Sequence, residues 1–289
     1  MSGATPADAL QEPGRGRGLL EVVRQRYLLS LIVRKELRVR YHGSVLGMVW
    51  SYVKPATQFV VFYFALGVFL QLNRSLDYFA VYLFSGIVVI NYFSEAFGNA
   101  TRTLVWNAPL IKKIYLPRQM FPVASIWVAI AHFIPQLVVL LVGALLAGWR
   151  PSWLGMAAFL AGFLLVTILA LGLGMLFGAI NVYLRDAENF VDLLLLIATW
   201  ASPVLYPWTA VRDALVGHPW LVTIYQLNPI TAAIELFHYA FWFPVSRSTE
   251  QIPPNLVMTT LVAFVIALAI LFVGQYAFRR LEGRFAQEL

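Results

Sequence analysis

A chain of 289 residues, 60% hydrophobic and only 12% charged, falls outside the range of soluble domains, where about a quarter of residues carry charge. The formal charge of +7 would suit nucleic acid only if basic and aromatic residues were interleaved on a soluble domain, and the sequence offers none, so the cations read as membrane-orienting. The absence of cysteine excludes disulfides, thiol catalysis and cysteine metal sites, and His42, His132, His218 and His238 are too scattered for a metal site. The expected class is an all-α integral membrane protein.

Residues 1–18, MSGATPADALQEPGRGRG, lack an apolar segment and read as a disordered cytoplasmic tail, not a cleaved signal peptide. From residue 19 a single membrane domain extends to 289, beginning with an amphipathic interface helix over 19–44. On a 3.6-residue wheel Leu29, Val33, Leu37 and Tyr41 form one stripe and Arg34, Lys35, Arg38 and His42 another, while Arg40 falls in the apolar sector. Such a helix lies along a membrane surface, where each cation gains about 1 kcal/mol from anionic lipid. Gly43 reads as the joint to the helix that enters the membrane.

A crossing of about 30 Å needs about 20 apolar residues, which predicts six spans near 51–71, 79–97, 120–147, 153–180, 190–205 and 256–278. Trp50 and Tyr52 suit an interface, and Pro55 suits a first helical turn. In the fourth span Gly174 and Gly178 have G-x-x-x-G spacing beside Gly172, which permits close approach of a helix from the same chain or a second copy. An even number of spans returns both termini to one side. That side receives 17 Lys and Arg against 4 on the other, Arg74, Arg150, Arg212 and Arg247, so the termini are expected to be cytoplasmic.

The segment 206–254 does not fit simple hairpins. WLVTIYQLNPITAAIELFHYAFW, residues 220–242, has two apolar pieces split by Asn228-Pro229, each too short to span. The pattern fits an external re-entrant helical hairpin, or else an amphipathic surface loop. Ionisable residues at span depth are few: Glu95, His132 near Pro135 and Gln136, and Glu235 with His238 in the external segment. Such groups are functional suspects, with interhelical hydrogen bonding as the alternative. Their scarcity, and the lack of matching broken helices in the two halves, argue against a proton-coupled secondary transporter.

Three stretches then carry a family likeness. RKELRVRYHGSVLGMVWSYVKP at 34–55 resembles the approach to the first span in membrane subunits of type 2 ABC (ATP-binding cassette) polysaccharide exporters. NAPLIKKIYLPRQMFP at 107–122 resembles the loop between their second and third spans, and NVYLRDAEN at 181–189 the loop before their fifth. The resemblance implies a homodimer with two separate ATP-binding cassette subunits, which hold ATP and Mg. It places the protein among membrane lipids in a bacterial plasma membrane, moving a polyprenyl-diphosphate-linked polysaccharide outward, with no nucleic acid partner. The family includes exporters of O-antigen, teichoic acid and actinobacterial galactan. Arg outnumbers Lys by 17 to 4 and Ala is abundant, a GC-rich composition that favours the galactan branch. The chain has no G-x-x-x-x-G-K-[ST] phosphate cradle, so no cofactor is expected on it.

The same resemblance assigns candidate roles. The loop 98–119 corresponds to the family's coupling helix, which carries contact with the ATP-binding subunit to Asn107, Leu110, Ile111 and Lys112. Apolar knobs with cationic flanks suit a partner's cleft, although they also suit an interfacial helix on lipid. Arg185 and Asp186, followed by Glu188, form a second contact or a local salt-bridged turn. Arg34, Lys35, Arg38, Arg40, Tyr41 and His42 stand where a lipid diphosphate would arrive, guanidinium forks matching phosphate oxygens, and lipid anchoring is a compatible role. Sugars slide best over flat aromatic surfaces, which nominates Phe59, Phe62, Tyr63, Trp200, Tyr206 and Trp208 as channel aromatics, with core or lipid contact as the alternative. Two rival functions are a permease for a small lipid or drug and a membrane-embedded polyprenyl-sugar transferase, for which Asp186, Glu188 and Asp192 are the nearest carboxylate cluster.

Overall fold

A computed structural model describes residues 18–114, 116–246 and 252–289, so the tail at 1–17 and Arg247 lie outside the described residues. Among the described residues the fold is wholly helical. The predicted single interface helix is two, α1 (Leu19–Arg24) and α2 (Arg26–Tyr41), because Gln25 leaves helical geometry with ψ at 40°. Gly43 adopts φ +76°, a left-handed turn that glycine takes without steric cost, and it forms the expected joint. A 3₁₀ turn at Gly47–Val49 leads into α3 (Trp50–Phe62), which a π turn at Tyr63–Phe69 prolongs. Pro55 is inside α3 and not in its first turn, because the helix starts upstream of the apolar run.

A short α4 (Leu72–Ser75) precedes α5 (Phe79–Trp106). The span expected to end near 97 continues to Trp106 because Ala100, Thr101 and Leu104 keep the buried face in register. The expected loop at 98–119 therefore shrinks to α6 (Ala108–Lys113) and its flanks. Then follow α7 (Met120–Leu146), α8 (Trp153–Tyr183) and α9 (Ala187–Trp200). The segment 206–254, expected as a re-entrant hairpin, holds among its described residues α10 (Trp208–Ala214), α11 (Pro219–Leu227), α12 (Pro229–Phe237) with a π turn at His238–Trp242, and α13 (Phe243–Ser246). The chain closes with α14 (Leu256–Leu281) and α15 (Phe285–Glu288). Ser152 Oγ accepts from the Gly155 N–H at 3.0 Å and Asn228 Oδ1 from the Ile230 N–H at 3.0 Å, so both helices start on a side-chain cap.

Among the described residues five helices, not the six expected, are long and apolar enough to cross a membrane: Gly47–Phe69, Phe79–Trp106, Met120–Leu146, Trp153–Tyr183 and Leu256–Glu288. The 14 residues of α9 rise only about 21 Å, short of a full crossing by themselves. Beyond α9 the chain enters a turn in which Ser202, Val204 and Leu205 are buried, and the Tyr82 hydroxyl lies 2.8 Å from both the Pro203 and Tyr206 carbonyl oxygens.

The hub of the bundle is α5, whose apolar residues surround the helix and demand burial on all sides. It packs against α7 and α8, with α14 on the far side of α8 and α12 wedged among α5, α8 and α14. Backbones approach where side chains are smallest. Gly174 and Gly178 face Ala100 of α5, whereas Gly172 faces Leu271 and Gly274 of α14, so these glycines serve packing within one chain. The two apolar pieces at 220–242 differ: α11 buries nothing, while every residue from Ile230 to Phe237 of α12 is buried. Val22, Ile32, Ile111, Met120, Val182, Phe278 and Phe285 share one apolar cluster, which puts α1, α2, α6 and α15 at one end, the terminal end. At the opposite end the Trp149 and Trp242 indole N–H groups donate to the carbonyls of Ala240 at 2.7 Å and Asp77 at 2.8 Å.

A Cβ added at Gly274 would sit 2.2 Å from the Gly172 carbonyl oxygen, whereas one added at Gly143 meets nothing within 4 Å. Gly274→Ala is expected to force α8 and α14 apart at a cost of about 1–3 kcal/mol, lowering the melting temperature of the purified protein by several degrees, with Gly143→Ala close to wild type. Equal melting temperatures would contradict the crossing.

Candidate functional site

Only 11% of the first crossing helix is buried, against 72% for α5. By standing off from the hub, α3 leaves a groove between itself, α5 and α7. The groove has two chambers that meet at Pro55 and Gln136. The chamber toward the opposite end, of about 280 Å³, is apolar, with Tyr52, Phe59, Phe84, Val139 and Leu140 on its walls. Phe59 and Phe84 meet edge to face there, with centroids 5.4 Å apart. The chamber at the terminal end, of about 590 Å³, is polar and bears Arg40, Lys54, Glu95, Asn99, Arg102 and His132.

Its organising contact joins α2, α5 and α7. The Arg40 guanidinium donates to Glu95 Oε1, and His132 Nδ1 lies 2.5 Å from that same oxygen and 3.1 Å from Arg40 Nη1. The other ring nitrogen, His132 Nε2, faces the Tyr41 hydroxyl at 2.7 Å, and that hydroxyl meets Ser51 Oγ of α3 at 2.8 Å. Nδ1 donates to Glu95 Oε1 and Nε2 bonds the Tyr41 hydroxyl, so both ring nitrogens are satisfied, as a side chain only 4% exposed requires. Lys54 has no ion-pair partner among the described residues. Arg102 reaches α9 through Asp192 at 2.5 Å and Glu188 at 3.4 Å. Gln136 Nε2 donates to the His132 carbonyl, which leaves its Oε1 buried without a hydrogen-bond partner where the chambers join.

The expected diphosphate cluster is thus divided. Arg40 and Tyr41 turn into the chamber, and the position of Arg40 in the apolar sector is what lets it reach Glu95. Lys35 donates to Asn107 Oδ1 and bonds Glu36 at 3.0 Å. Arg34, Arg38 and His42 are exposed, and their side chains have no hydrogen bond or ion pair among the described residues. The expected coupling patch divides too. Asn107 and Ile111 are buried, and Asn107 Nδ2 donates to Glu36 at 3.0 Å and to the Thr103 carbonyl at 2.9 Å. Leu110 is half-buried against the terminal cluster. The outward face of this region is Trp106, Pro109, Lys112, Lys113 and Ile114, because the six residues of α6 complete less than two turns and their apolar side is already taken by the chain's own core. Arg185 and Asp186 are exposed at the turn before α9.

Of the predicted channel aromatics only Phe59 lines the groove. Phe62 at the end of α3 and Tyr63 in the π turn after it are half-buried, Tyr63 against Phe59 and Phe79. Trp200 is exposed, Tyr206 donates to the Trp200 carbonyl, and Trp208 is buried with Arg212 above its ring. The carboxylates Glu188 and Asp192 share Arg102 as an ion-pair partner, and among the described residues no group of three His, Asp or Glu is placed to hold a metal ion. Lys54, Asn91, Ser94, Asn99, Arg102 and Phe84 were not foreseen. Their signal was faint: Asn91, Ser94, Glu95, Asn99 and Arg102 recur at helical spacing along one face of an otherwise apolar α5.

Residues 27–242 match the family model described as ABC-2 type transporter. The chain is similar to an O-antigen export system permease protein RfbA of Klebsiella pneumoniae, 26% identical over 265 residues that cover 91% of this chain and 95% of that protein. It is also similar to the protein of that name in Myxococcus xanthus, 25% identical over 269 residues, covering 93% and 98%. The matched region contains both chambers.

The outward and inward faces of α6 make separable expectations in this cysteine-free chain. Single cysteines at Lys112 and Ile114 are expected to react readily with a water-soluble maleimide and one at Ile111 slowly. Ile111→Asp is expected to destabilise the fold by about 3 kcal/mol by burying an unpaired charge. Fast labelling at Ile111 would reverse this assignment of faces.

Proposed function

The chain belongs to the ABC-2 type transporter family, and on that premise we propose that it is the membrane subunit of an ATP-driven exporter of a polyprenyl-diphosphate-linked polysaccharide. The observation that carries this reading is the two-chamber groove, cationic and polar at one end and apolar at the other, as an amphiphile with a charged head and an isoprenoid tail demands. Lys54, Arg40 and Arg102 receive the diphosphate. Asn91, Ser94, Asn99 and the unpartnered Gln136 Oε1 meet hydroxyls of the first sugars, and the chamber at Phe59 and Phe84 takes isoprenoid, because it offers sugars almost no hydrogen-bond partners. Arg34, Arg38 and His42 keep the anchoring role.

The termini face the cytoplasm of a bacterial plasma membrane, a reading supported by the cation asymmetry and by their shared end of the bundle. Six crossings then follow, the fifth made by α9 and the buried turn after it. The segment α11 and α12 re-enters from outside. In support, α12 and its π turn run along α8, with Ala240 at Gly155 and Ala233 deeper at Gly162, so that Trp242 bonds the Asp77 carbonyl at the opposite end of the bundle while Asn228 bonds the Ala201 carbonyl at 3.3 Å beside the turn after α9. Two copies work with two ATP-binding subunits, and the glycan passes between the copies, where Trp200 and the exposed side of α3 are available.

The ATP-binding subunit docks on Trp106, Pro109, Lys112 and Ile114, with Arg185 and Asp186 as a second contact. A push on α6 reaches the groove through a continuous chain of polar contacts. Asn107 moves with α6 and holds Lys35 and Glu36, and those residues belong to the helix that carries Arg40 and Tyr41. Asn107 is thus a joint and not a contact with the partner. The arginine-rich composition supports galactan as the polymer.

Depletion of the protein in its host is expected to trap lipid-linked glycan on the cytoplasmic side, and the sugars recovered identify the polymer. Arg40→Gln and Lys54→Gln are each expected to cut export about tenfold or more, the loss of one charge-assisted contact, with the complex still assembled and Arg38→Gln near wild type. Full export by Arg40→Gln would remove the headgroup assignment.

A further inference from the structure

Glu95 is an anomaly in a chamber built to receive an anion. Its carboxylate already occupies the position between Arg40 and His132 that a phosphate oxygen would take, with Asn99 Nδ2 at 3.5 Å as a further neighbour. Arg40 and Glu95 retain 34% and 22% side-chain exposure, so the pair faces the open chamber and is not sealed in the core. Lys54, on α3, lines the same chamber with no ion-pair partner among the described residues. The chamber therefore offers one free cation, Lys54, and two that are already engaged, Arg102 by Asp192 and Glu188 of α9 at the chamber's edge and Arg40 by Glu95 within it.

We propose that Glu95 is a specificity-determining residue, an internal competitor for Arg40 that admits diphosphate lipids and rejects the singly charged phospholipids around them. The inference rests on the headgroup reading above. A phosphodiester headgroup brings a single charge, which Lys54 can neutralise, and it gains little by displacing Glu95, since one carboxylate contact is exchanged for one phosphate contact. A diphosphate carries more charge on oxygens spread over two phosphorus centres, so it engages Lys54 and Arg40 together, and the second engagement offsets the loss of the Arg40–Glu95 pair. Discrimination of this kind uses a cost that the unwanted ligand cannot recover. The chamber needs it, because the cations that attract a diphosphate attract every anionic lipid at that depth.

The displaced carboxylate has a place to go. Asn99 is one turn further along the same helix face, and the chamber of about 590 Å³ is polar enough to solvate a free carboxylate. Tyr41 keeps its contacts with His132 and Ser51, so α2 stays seated while Arg40 changes partner.

The test measures binding of farnesyl diphosphate to the complex of this chain with its ATP-binding subunit, in nanodiscs of phosphatidylcholine with or without phosphatidylglycerol. Glu95→Gln keeps the shape and removes the charge. It is expected to bind the diphosphate about tenfold tighter in phosphatidylcholine and to lose that gain when phosphatidylglycerol is added, whereas the wild type changes little between the two lipids. Glu95→Asp should behave as wild type, and Glu95→Ala, a second neutral variant, as Glu95→Gln. Arg40→Gln should weaken binding in both lipids. If Arg40→Gln weakens binding but both neutral variants keep the wild-type affinity and indifference to phosphatidylglycerol, the role of Glu95 is overturned and the headgroup site stands. If Arg40→Gln binds like wild type, the headgroup site itself fails.

Discussion

The contact of Arg40 with Glu95, shared by His132 on the same carboxylate oxygen, turns the charged face of the interface helix into the chamber, while Ile32 in the terminal apolar cluster and Tyr41 on His132 seat the helix itself. In a span a lone carboxylate or a lone buried imidazole is costly, and each of these three groups is tolerable because the other two are present. The contact also decides the orientation of α2. With Arg40 turned inward, Lys35 and Glu36 meet Asn107 at the end of α5, and Arg34 and Arg38 are left to face outward. One triad thus sets which cations line the groove, which remain for lipid, and how motion at α6 is felt in the chamber.

The second constraint is steric. The bundle packs closely at the glycines of α8 and at Gly274 of α14, where backbones touch, and loosely at α3. Close contact around α5, α8, α12 and α14 makes a rigid wall, and the stand-off of α3 makes the groove beside it. Pro55, with no N–H to offer the preceding turn, lies at the junction of the two chambers. The rigid wall carries Glu95 and Asn99, while Lys54 and Tyr52 ride on the less buried helix, so separation of α3 from α5 would alter the charge and width of the chamber together.

Much of this was legible in the residues. The long apolar runs predicted six spans, five of which are helices long and apolar enough to cross among the described residues, and the stretches around Arg40, Asn107 and Arg185 carried the family likeness that the match over residues 27–242 agrees with. What could not be read was direction. A helical wheel flagged Arg40 as misplaced but could not show that residues 55 and 92 positions away, Glu95 and His132, were waiting for it. Leu110, Ile111 and Asn107 looked like a docking surface because an apolar knob has the same pattern whether it fits a partner or the chain's own core, and Val22, Phe278 and Phe285 come from regions too distant for periodicity to connect. The depth of α12 was hidden for the same reason, since its burial depends on Gly162 of α8 letting the Ala233 carbonyl approach. Local pattern sets element type, and non-local contact sets which face is used.

The central claim is that the groove between α3, α5 and α7 receives the lipid carrier. Photo-crosslinking tests it most directly, using a diazirine-bearing polyprenyl diphosphate on the assembled complex, with the labelled peptides mapped by mass spectrometry. The account predicts labels on α3 and α7 around Pro55 and Gln136, suppressed by unlabelled carrier. Labels confined to the outer face of α14, or unaffected by competitor, would contradict it.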